Sequence, residues 1–259
     1  MSLYILNNIY FDNYHKGLDV NLEKVFQELN NNELDAQTYT FYTSVAVISS
    51  SRIEGEAMEL DSYLKYKTQD IEYLPELVQK PNDLYDAYVY ARQNSLSEKK
   101  FLKSHVLLSR HLLPEKSRGI YRQGEMLVLE HNTGKIQYEA APAAIVSHEI
   151  EKLWHDIEVL SNQSLNIEEV FYFASMIHLA FANIHPFNDG NGRAARLLEK
   201  WFLATKLGEK AWLIPSEKYY YAHIDSYYAN LARLGMFYEK LDYGKADRFL
   251  WMLKESVNV

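Results

Sequence analysis

The sequence predicts an all-α fold, mainly helical, that carries one small β-hairpin. Residues that favour helices are common, whereas the chain of 259 residues contains 10 glycines and 6 prolines. Apolar residues recur at helical spacing along most of the chain, and the alternating pattern of strands occurs in a single short region. A chain of this length suits one globular domain or a compact domain with an accessory part.

Charge and composition disfavour several classes of protein. The formal net charge is −8, which argues against nucleic-acid binding because phosphate contacts need clustered Lys and Arg. Since cysteine is absent, the chain has no disulfide framework and no thiol nucleophile. The N-terminus lacks the pattern of a signal peptide, and no segment has the roughly 18 apolar residues that span a membrane. We therefore expect a soluble, cytoplasmic protein with no nucleic-acid or membrane partner.

The first part of the chain is predicted to be polar at its start and helical afterwards. Residues 1–35 are polar and mixed. A helix is expected from Asp35, which can cap it, to Gly55, which can end it. A kinked or broken helical stretch follows to about Pro81, and a new helix is expected to begin at the cap-like Asn82. The segment "SEKKFLKSHVLLSRHLL" repeats the helical pattern.

A change of period marks the expected hairpin. The segment "GEMLVLEHNTGKIQYEA" contains a short apolar run, the turn sequence HNTG and a second run of alternating character. These features predict strands at Glu125–Glu130 and Lys135–Glu139. Helical periodicity returns in the next segment, with Pro142 near its start.

Two apolar helices are expected to flank the most unusual loop of the chain, "IHPFNDGNGRAAR". Asn166 and Glu169 have the spacing of a capping box, and residues 167–183 are apolar nearly all round, as in a buried helix. Pro186 disfavours helical geometry at the preceding residue, and a second apolar helix restarts near Gly192. The loop therefore has rigid ends, which suit a well-defined site.

The loop combines groups that bind phosphate. Gly190, Asn191 and Gly192 lie where the second helix begins, and free N–H groups at the start of a helix bind anions. Arg193 and Arg196 are three residues apart and share one face of the first turn. Two guanidinium groups beside such N–H groups suit a di- or triphosphate.

A metal ligand and a base complete the predicted site. Asp189 is a carboxylate beside the phosphate position, where a carboxylate usually implies Mg²⁺. His185 is the side chain of this loop that exchanges a proton most readily near neutral pH. Together these residues predict phosphoryl or nucleotidyl transfer. For each residue taken alone, the alternatives are a turn, a structural histidine and a solvated arginine face.

The stretch from His185 to Arg196 resembles the motif of the Fic family of nucleotidyl transferases, His-Pro-Phe-x-Asp/Glu-Gly-Asn-Gly-Arg-x-x-Arg, without a departure. The resemblance implies transfer of AMP from ATP to a Tyr, Thr or Ser hydroxyl of a target protein, with Mg²⁺. It implies that His185 takes the hydroxyl proton and that Asp189 holds the metal. The residues that it implies for phosphate binding are Gly190, Asn191, Gly192, Arg193 and, for the γ-phosphate, Arg196.

The resemblance extends beyond the loop. The hairpin after "GIYR" is similar to the flap with which the family positions its protein substrate. Tyr227 and Tyr228 fall where the family often lines the adenine pocket, with packing in the core as the alternative. Phe187 is expected to anchor the loop in the core without a chemical role.

A second motif, "SSSRIEGE", resembles the inhibitory motif of Fic proteins, Ser/Thr-x-x-x-Glu-Gly/Asn. Ser50 and Glu54 are four residues apart and share one face of the expected helix. If that face packs on the phosphate loop, Glu54 can pair with Arg196 and repel the γ-phosphate of a nucleotide. The alternative is an exposed glutamate at the end of a helix.

The expected organisation follows from both motifs. Residues 1–95 are predicted to form an N-terminal helical region with the inhibitory helix, residues 96–212 the Fic core with its flap, and residues 213–259 the C-terminal helices. The expected function is an adenylyltransferase that Glu54 inhibits. Four alternatives stay open: AMP removal by Glu54 and a water, a different donor, a nucleotide-sensing interaction module, and modification of its own tyrosines. Homo-oligomers are also compatible with the sequence.

Overall fold

The computed structural model describes residues 2–17, 20–30, 35–69, 71–129 and 136–258. The expected helical fold with one small antiparallel hairpin is confirmed in these ranges. Among the described residues, no helix is both long and apolar enough to cross a membrane. The helices are α1 (Phe11–Gly17), α2 (Leu22–Asn30), α3 (Ala36–Ile53), α4 (Leu60–Gln69), α5 (Pro75–Arg92), α6 (Glu98–Leu108), α7 (Val146–Asn162), α8 (Ile167–Ile184), α9 (Asn191–Leu207), α10 (Ser216–Ala222), α11 (Ile224–Ala232) and α12 (Asp247–Glu255), and the strands are β1 (Leu127–Leu129) and β2 (Ile136–Glu139).

Helix α8 lies at the centre of the fold. Its predicted capping box is present, because Asn166 Oδ1 accepts from Glu169 N (2.9 Å) and Glu169 Oε2 accepts from Asn166 N (2.8 Å). Every residue from Val170 to Phe181 is buried, and α8 packs against α7, α9 and α12. Burying one large apolar side chain contributes about 1.5–3 kcal/mol, so a helix that is apolar all round is stable only inside the protein.

Helix α3 begins and ends where the sequence predicts. Asp35 caps it, with the carboxylate accepting from Thr38 N (2.7 Å). Gly55 follows the end of the helix with a left-handed backbone, φ 85°. The buried face of α3 packs against α5 and α10, which places the second motif in the interior of the molecule.

The start of α5 differs from the prediction, and the expected capping role of Asn82 is wrong. The helix begins at Pro75 and runs through Pro81. A proline suits the first position because its N–H is not needed there, and the packing of α5 on α3 and α6 outweighs the hydrogen bond lost at Pro81. The side chain of Asn82 instead accepts from the Tyr63 hydroxyl (3.0 Å) and donates to the Tyr66 hydroxyl (2.9 Å).

The N-terminal segment contains two helices, α1 and α2, that its polar and mixed sequence did not indicate. The backbone N–H groups of Tyr4, Ile5 and Leu6 donate to the Asp156 carboxylate of α7 at 2.7–3.0 Å. Helices α1 and α2 both pack on α8. The segment is therefore attached to the core by one buried carboxylate and by helix packing.

The predicted hairpin is present, with β1 and β2 antiparallel and Val128 opposite Tyr138. Strand β1 begins at Leu127, two residues after the predicted Glu125, and β2 spans the described part of the predicted Lys135–Glu139. The turn HNTG, and the two residues that flank it, lie outside the described residues.

Two contacts of β2 fix the hairpin to the core. The Tyr138 hydroxyl donates to Asn183 O near the end of α8 (2.8 Å). The backbone N–H of Glu139 donates to Met236 O (2.8 Å). The hairpin therefore stands beside the loop that joins α8 to α9.

Candidate active site

The loop of residues 185–190 joins α8 to α9 and has a left-handed residue at each end. His185 caps α8 with φ 51°, and Gly190 precedes α9 with φ 80°. At Gly190 a Cβ would lie 2.9 Å from Leu108 Cδ1, so both the backbone and the packing require glycine. Helix α8 ends before Pro186, as the sequence predicts.

Asn191 closes this loop from within. Its side-chain oxygen accepts from Phe187 N and its side-chain amide donates to Phe187 O, both at 2.8 Å. The Phe187 ring is fully buried and stacks on the His105 ring, with the centroids 3.5 Å apart. Phe187 therefore anchors the loop, as predicted. The side chain of Asn191 shapes the loop, which leaves its backbone N–H for an anion.

His105 of α6 supports the loop from below. Its Nδ1 accepts from Gly119 N (2.9 Å), so its Nε2 donates to Asp189 O (3.0 Å). Burial lowers the pKa of His105 to about 4, although the bond to Asp189 raises it. The ring is therefore neutral at neutral pH and keeps this pair of hydrogen bonds.

Arg122, from the segment before β1, binds the backbone at the start of the loop. Its Nε donates to His185 O (2.8 Å), and its Nη2 donates to Ala141 O (2.5 Å) and Ile184 O (3.2 Å). Its backbone N–H donates to Pro186 O (2.8 Å). The sequence drew attention to "GIYR" only as a neighbour of the hairpin, so this role of Arg122 was missed.

His185 supplies an unprotonated nitrogen. Its Nδ1 lies 3.2 Å from Ala182 O and donates to it, so Nε2 is the proton acceptor of the neutral ring. Burial lowers the pKa of His185 below its ordinary value, despite the opposing effect of the bond to Ala182. A neutral imidazole with a free acceptor nitrogen is the form that a general base requires.

The first turn of α9 carries two buried arginines. The exposed fraction is 4% for Arg193 and 1% for Arg196. Among the described residues, the buried Nε of Arg193 has no hydrogen-bond partner. A buried donor without a partner is costly, and it lies at a helix start whose N–H groups favour an anion. This turn is therefore suited to bind phosphate.

Glu54 of the second motif pairs with Arg196, as the resemblance to the inhibitory motif implies, and Ser50 on the same helix face contacts Arg196 too. Arg196 Nη2 donates to Glu54 Oε1 (2.6 Å), and Arg196 Nε donates to Ser50 Oγ (2.8 Å). Arg196 Nη2 also donates to Ser50 O (3.2 Å). The guanidinium of Arg196 is thus paired with groups from the end of α3.

The Glu54 carboxylate lies over the start of α9. A Cβ on Gly192 would overlap Glu54 Oε1, so glycine leaves room for the carboxylate. Burial favours a higher pKa for Glu54, but Arg196 and Arg193 outweigh it and lower the pKa below its ordinary value. The side chain is 32% exposed, so a negative charge stands at the edge of the predicted phosphate site.

A second carboxylate, which the sequence interpretation missed, pairs with the other arginine. Arg193 Nη2 donates to Glu56 Oε1 (3.1 Å), which also accepts from Lys80 Nζ of α5 (2.8 Å). The Glu56 side chain is 15% exposed. Its position in "EGE" was visible in the sequence, but nothing there indicated that α5 brings Lys80 to it.

Tyr227 and Tyr228 lie on α11 beside Arg196 and have different environments. Tyr227 is 2% exposed and accepts from Arg196 Nη1 (3.3 Å). Tyr227 packs in the core, which agrees with the second of the two alternatives given for it, and its contact with adenine stays a prediction. Tyr228 is 39% exposed and donates to Ile53 O (3.1 Å), so its ring can still contact a nucleotide base.

Asp189 is exposed near the end of the loop, and its Oδ1 accepts from Gly190 N (2.6 Å). In the described part of the chain, no group of three or more His, Cys, Asp or Glu residues could hold a metal. Mg²⁺ is usually held by one or two carboxylates together with substrate phosphates and waters. A single carboxylate beside a phosphate site therefore fits this metal.

Comparison with known proteins gives one family match. Residues 95–203 match the family model of the Fic/DOC family. No curated protein gives a significant match. The matched residues include the whole loop and α9 as far as Leu203.

Solved structures with a similar fold include a Fic family protein from Desulfovibrio desulfuricans, with TM-score 0.75, 22% identity, and coverage of 92% of this chain and 72% of that chain. The fold is also similar to a Fic domain containing signaling protein from Bacteroides thetaiotaomicron (TM-score 0.65, 15% identity, 92% and 94% covered). A third similar structure is Fic-1 from C. elegans (TM-score 0.59, 17% identity, 96% and 68% covered). At these identities the likeness establishes the fold.

Proposed function

Since residues 95–203 of this chain form a Fic/DOC domain, we propose that the protein is an adenylyltransferase that moves AMP from ATP to a hydroxyl of a target protein. One observation carries this proposal: a single loop presents a neutral histidine, a helix start and two buried arginines. The transfer of a nucleotide-derived group is the general activity of the family. ATP as donor and a protein hydroxyl as acceptor are the specific proposal.

Each residue of the loop and of the start of α9 has a separate proposed role in the reaction. His185 Nε2 takes the proton of the acceptor hydroxyl, whose oxygen forms a bond to the α-phosphorus as the bond to the β-phosphate breaks and pyrophosphate leaves. The N–H groups at the start of α9 and Arg193 stabilise the charge on the phosphates. Arg196 is proposed to hold the γ-phosphate. Asp189, together with the phosphates, would hold Mg²⁺, which would supply further charge neutralisation.

Inhibition is the second part of the proposal. Glu54 occupies the arginine that the γ-phosphate would use, and its carboxylate lies over Gly192. A bound triphosphate therefore has to displace Glu54 and would be repelled by it. Each tenfold of inhibition needs about 1.4 kcal/mol, and a hydrogen bond to a charged group contributes about 1.5–3 kcal/mol.

The proposed partner is a target protein with a Tyr, Thr or Ser hydroxyl that enters beside the hairpin. The outward side chains Leu127, Leu129 and Ile136 are each about half exposed, at 47%, 53% and 47%. They stand next to the loop through the contact of Tyr138 with Asn183. An apolar surface in this position supports a protein rather than a small molecule as the acceptor.

AMP removal is a second candidate, and one observation favours it. Among the described residues, Glu54 Oε2 accepts no hydrogen bond, although Oε1 is held by Arg196. The lowered pKa of Glu54, set by Arg196 and Arg193 against the effect of burial, keeps this oxygen anionic. It could orient a water for attack on the phosphorus of AMP bound to a protein, with His185 Nε2 taking a proton from that water and passing it to the released side-chain oxygen as the bond between that oxygen and phosphorus breaks.

The test incubates three proteins with Mg²⁺ and ATP labelled at the α-phosphate, with and without cell extract. They are the wild type, Glu54→Gly, and Glu54→Gly combined with His185→Ala. We expect strong protein-bound label in Glu54→Gly, weak label in the wild type and none in the double variant. Glu59→Gly is the matched control, because Glu59 is 64% exposed and pairs with Arg52 outside the loop. No label in any sample would overturn the transferase proposal.

The same variants separate transfer from removal. Protein labelled by Glu54→Gly serves as the substrate, and the release of labelled AMP is followed after the enzyme is replaced. Release by the wild type but not by Glu54→Gly would establish AMP removal with Glu54 as a required residue. Retention of the label in the presence of the wild type would exclude removal from that substrate.

A further inference from the structure

A chain of buried hydrogen bonds leads from Glu199 to Arg196 through His178 and Tyr227. Glu199 Oε2 lies 2.7 Å from His178 Nδ1, His178 Nε2 lies 3.0 Å from the Tyr227 hydroxyl, and Arg196 Nη1 lies 3.3 Å from that hydroxyl. The exposed fraction is 0% for Glu199 and His178, 2% for Tyr227 and 1% for Arg196. Helices α8, α9 and α11 contribute these residues, so the chain is fixed by packing on all sides.

The donor and acceptor properties of these groups determine which atom donates in each hydrogen bond of the chain. A carboxylate oxygen only accepts, so His178 Nδ1 carries the proton that is donated to Glu199. In the neutral imidazole, Nε2 then accepts from the Tyr227 hydroxyl. Because that hydroxyl donates to His178, its lone pairs face Arg196 and accept from Nη1. The Tyr227 oxygen is therefore presented to Arg196 only as an acceptor.

Arg196 is held from two sides. Ser50 accepts from Nε and Nη2, and Tyr227 accepts from Nη1. Glu54 is the partner on the third side. Neither Ser50 nor Tyr227 contacts Arg196 through Glu54, so these contacts can hold the guanidinium in place when Glu54 is displaced.

We propose that Tyr227 is a positioning residue for Arg196, oriented by His178 and Glu199, and that it determines how tightly the site binds the third phosphate of a nucleotide. The proposal rests on the proposed function, since it takes Arg196 as the partner of the γ-phosphate. It assigns Tyr227 a role through its hydroxyl. A contact with adenine would instead depend on its ring.

The test measures nucleotide affinity rather than turnover. The background carries Glu54→Gly and His185→Ala, so that the site is open and no transfer occurs. The dissociation constants of ATP and ADP with Mg²⁺ are measured by calorimetry in this background, and again after Tyr227→Phe is added. Tyr220→Phe is the matched control, because Tyr220 is equally buried and donates to the same Glu199 oxygen (2.8 Å) without touching Arg196.

We expect Tyr227→Phe to raise the dissociation constant of ATP about tenfold and that of ADP less than about twofold. The reason is that Arg196 loses the acceptor that orients it toward the third phosphate. Tyr220→Phe should change neither constant by more than about twofold. Unchanged ATP affinity in Tyr227→Phe, or equal weakening of ATP and ADP, would overturn this role. If neither nucleotide binds to the background, the proposed function itself fails, which distinguishes the two failures. Thermal melting of each variant verifies that all of them are folded.

Discussion

The loop of residues 185–190 and the segment of residues 54–59 meet at the start of α9, but the protein holds them in different ways. Buried side chains fix the loop: Asn191 from inside it, His105 below it and Arg122 beside it. These contacts are made to backbone atoms of the loop. They therefore exist before any nucleotide or target binds.

Ion pairs hold the segment of residues 54–59, and the glutamate side chains of these pairs are partly exposed. Glu54 pairs with Arg196, Glu56 with Arg193, and Glu59 with Arg52. A phosphate can replace a carboxylate in such pairs, because both are oxygen anions that accept from guanidinium groups. A phosphate cannot replace the internal bonds of the loop in the same way.

We call the loop of residues 185–190, with its buried contacts, the frame. We call the segment of residues 54–59 the cover, because a ligand can displace it while the frame stays fixed. Leaving a buried polar group without its partner costs about 1–3 kcal/mol, and loss of the internal bonds of the loop would do this, whereas a phosphate that replaces Glu54 or Glu56 leaves neither arginine without a partner. The cover can therefore leave at a cost that binding can supply, while the frame keeps its shape. Variants of the frame are expected to lose stability and activity together, and variants of Glu54 and Glu56, the two residues of the cover that pair with Arg196 and Arg193, to gain activity.

The largest effect is expected for Asn191→Ala, which removes both bonds to the Phe187 backbone. The free energy of unfolding should fall by about 1–3 kcal/mol. AMP transfer in the Glu54→Gly background should fall by about hundredfold, because small displacements of reacting groups are costly. Denaturant unfolding and the α-phosphate labelling assay measure the two quantities.

Asn188→Ala is the matched control for this change, since Asn188 is an exposed asparagine of the same loop. Its free energy of unfolding should change by less than about 0.5 kcal/mol. Equal transfer by the two variants would show that the side chain of Asn191 does not set the shape of the loop.

The next effect concerns the pH dependence of stability through His105. Burial lowers its pKa in the folded state to about 4, from an ordinary value of 6.5 in the unfolded chain. As the pH falls from 6.5 to 4, the unfolded chain takes up a proton that the folded ring does not. Stability is therefore complete above pH 6.5 and decreases by up to about 3 kcal/mol toward pH 4.

Replacement of His105 by glutamine should remove this part of the pH dependence. The free energy of unfolding is measured between pH 7 and pH 4 for the wild type, His105→Gln and His223→Gln. His223 is exposed, so its variant should keep the slope of the wild type. Parallel curves for the wild type and His105→Gln would contradict the assignment of a neutral, buried ring.

Local patterns predicted the helix boundaries on both sides of the loop well. The capping residues Asn166 and Glu169, the stop before Pro186 and the restart of a helix near Gly192 depend on neighbours within one or two turns. The pairing of Glu54 with Arg196 was also predicted, because the resemblance supplied a contact between distant segments. Periodicity and capping by themselves carry no such information.

Contacts between distant segments account for what the sequence did not show. Asn82 looked like a cap, but tyrosines of α4 occupy its side chain. Arg122 and His105 act on residues 63 and 84 positions away, and Glu56 on an arginine 137 positions away. An arginine or a histidine in a helical pattern has the same local signal whether it reaches the loop or solvent.

The smallest effect is expected for Glu56, the part of the cover that the sequence did not reveal. Glu56→Gln removes the charge that pairs with Arg193 while keeping the size of the side chain. Because Lys80 shares the same oxygen, Glu56→Gln removes only part of the pairing of Arg193, and transfer should rise about two- to threefold, which corresponds to ~0.4–0.7 kcal/mol. The rate of labelling as a function of ATP concentration measures this gain, with Glu59→Gln as the control outside the site.

An unchanged ATP dependence in Glu56→Gln would restrict the inhibitory contact to Glu54. A gain comparable with that of Glu54→Gly would mean that the two carboxylates leave together.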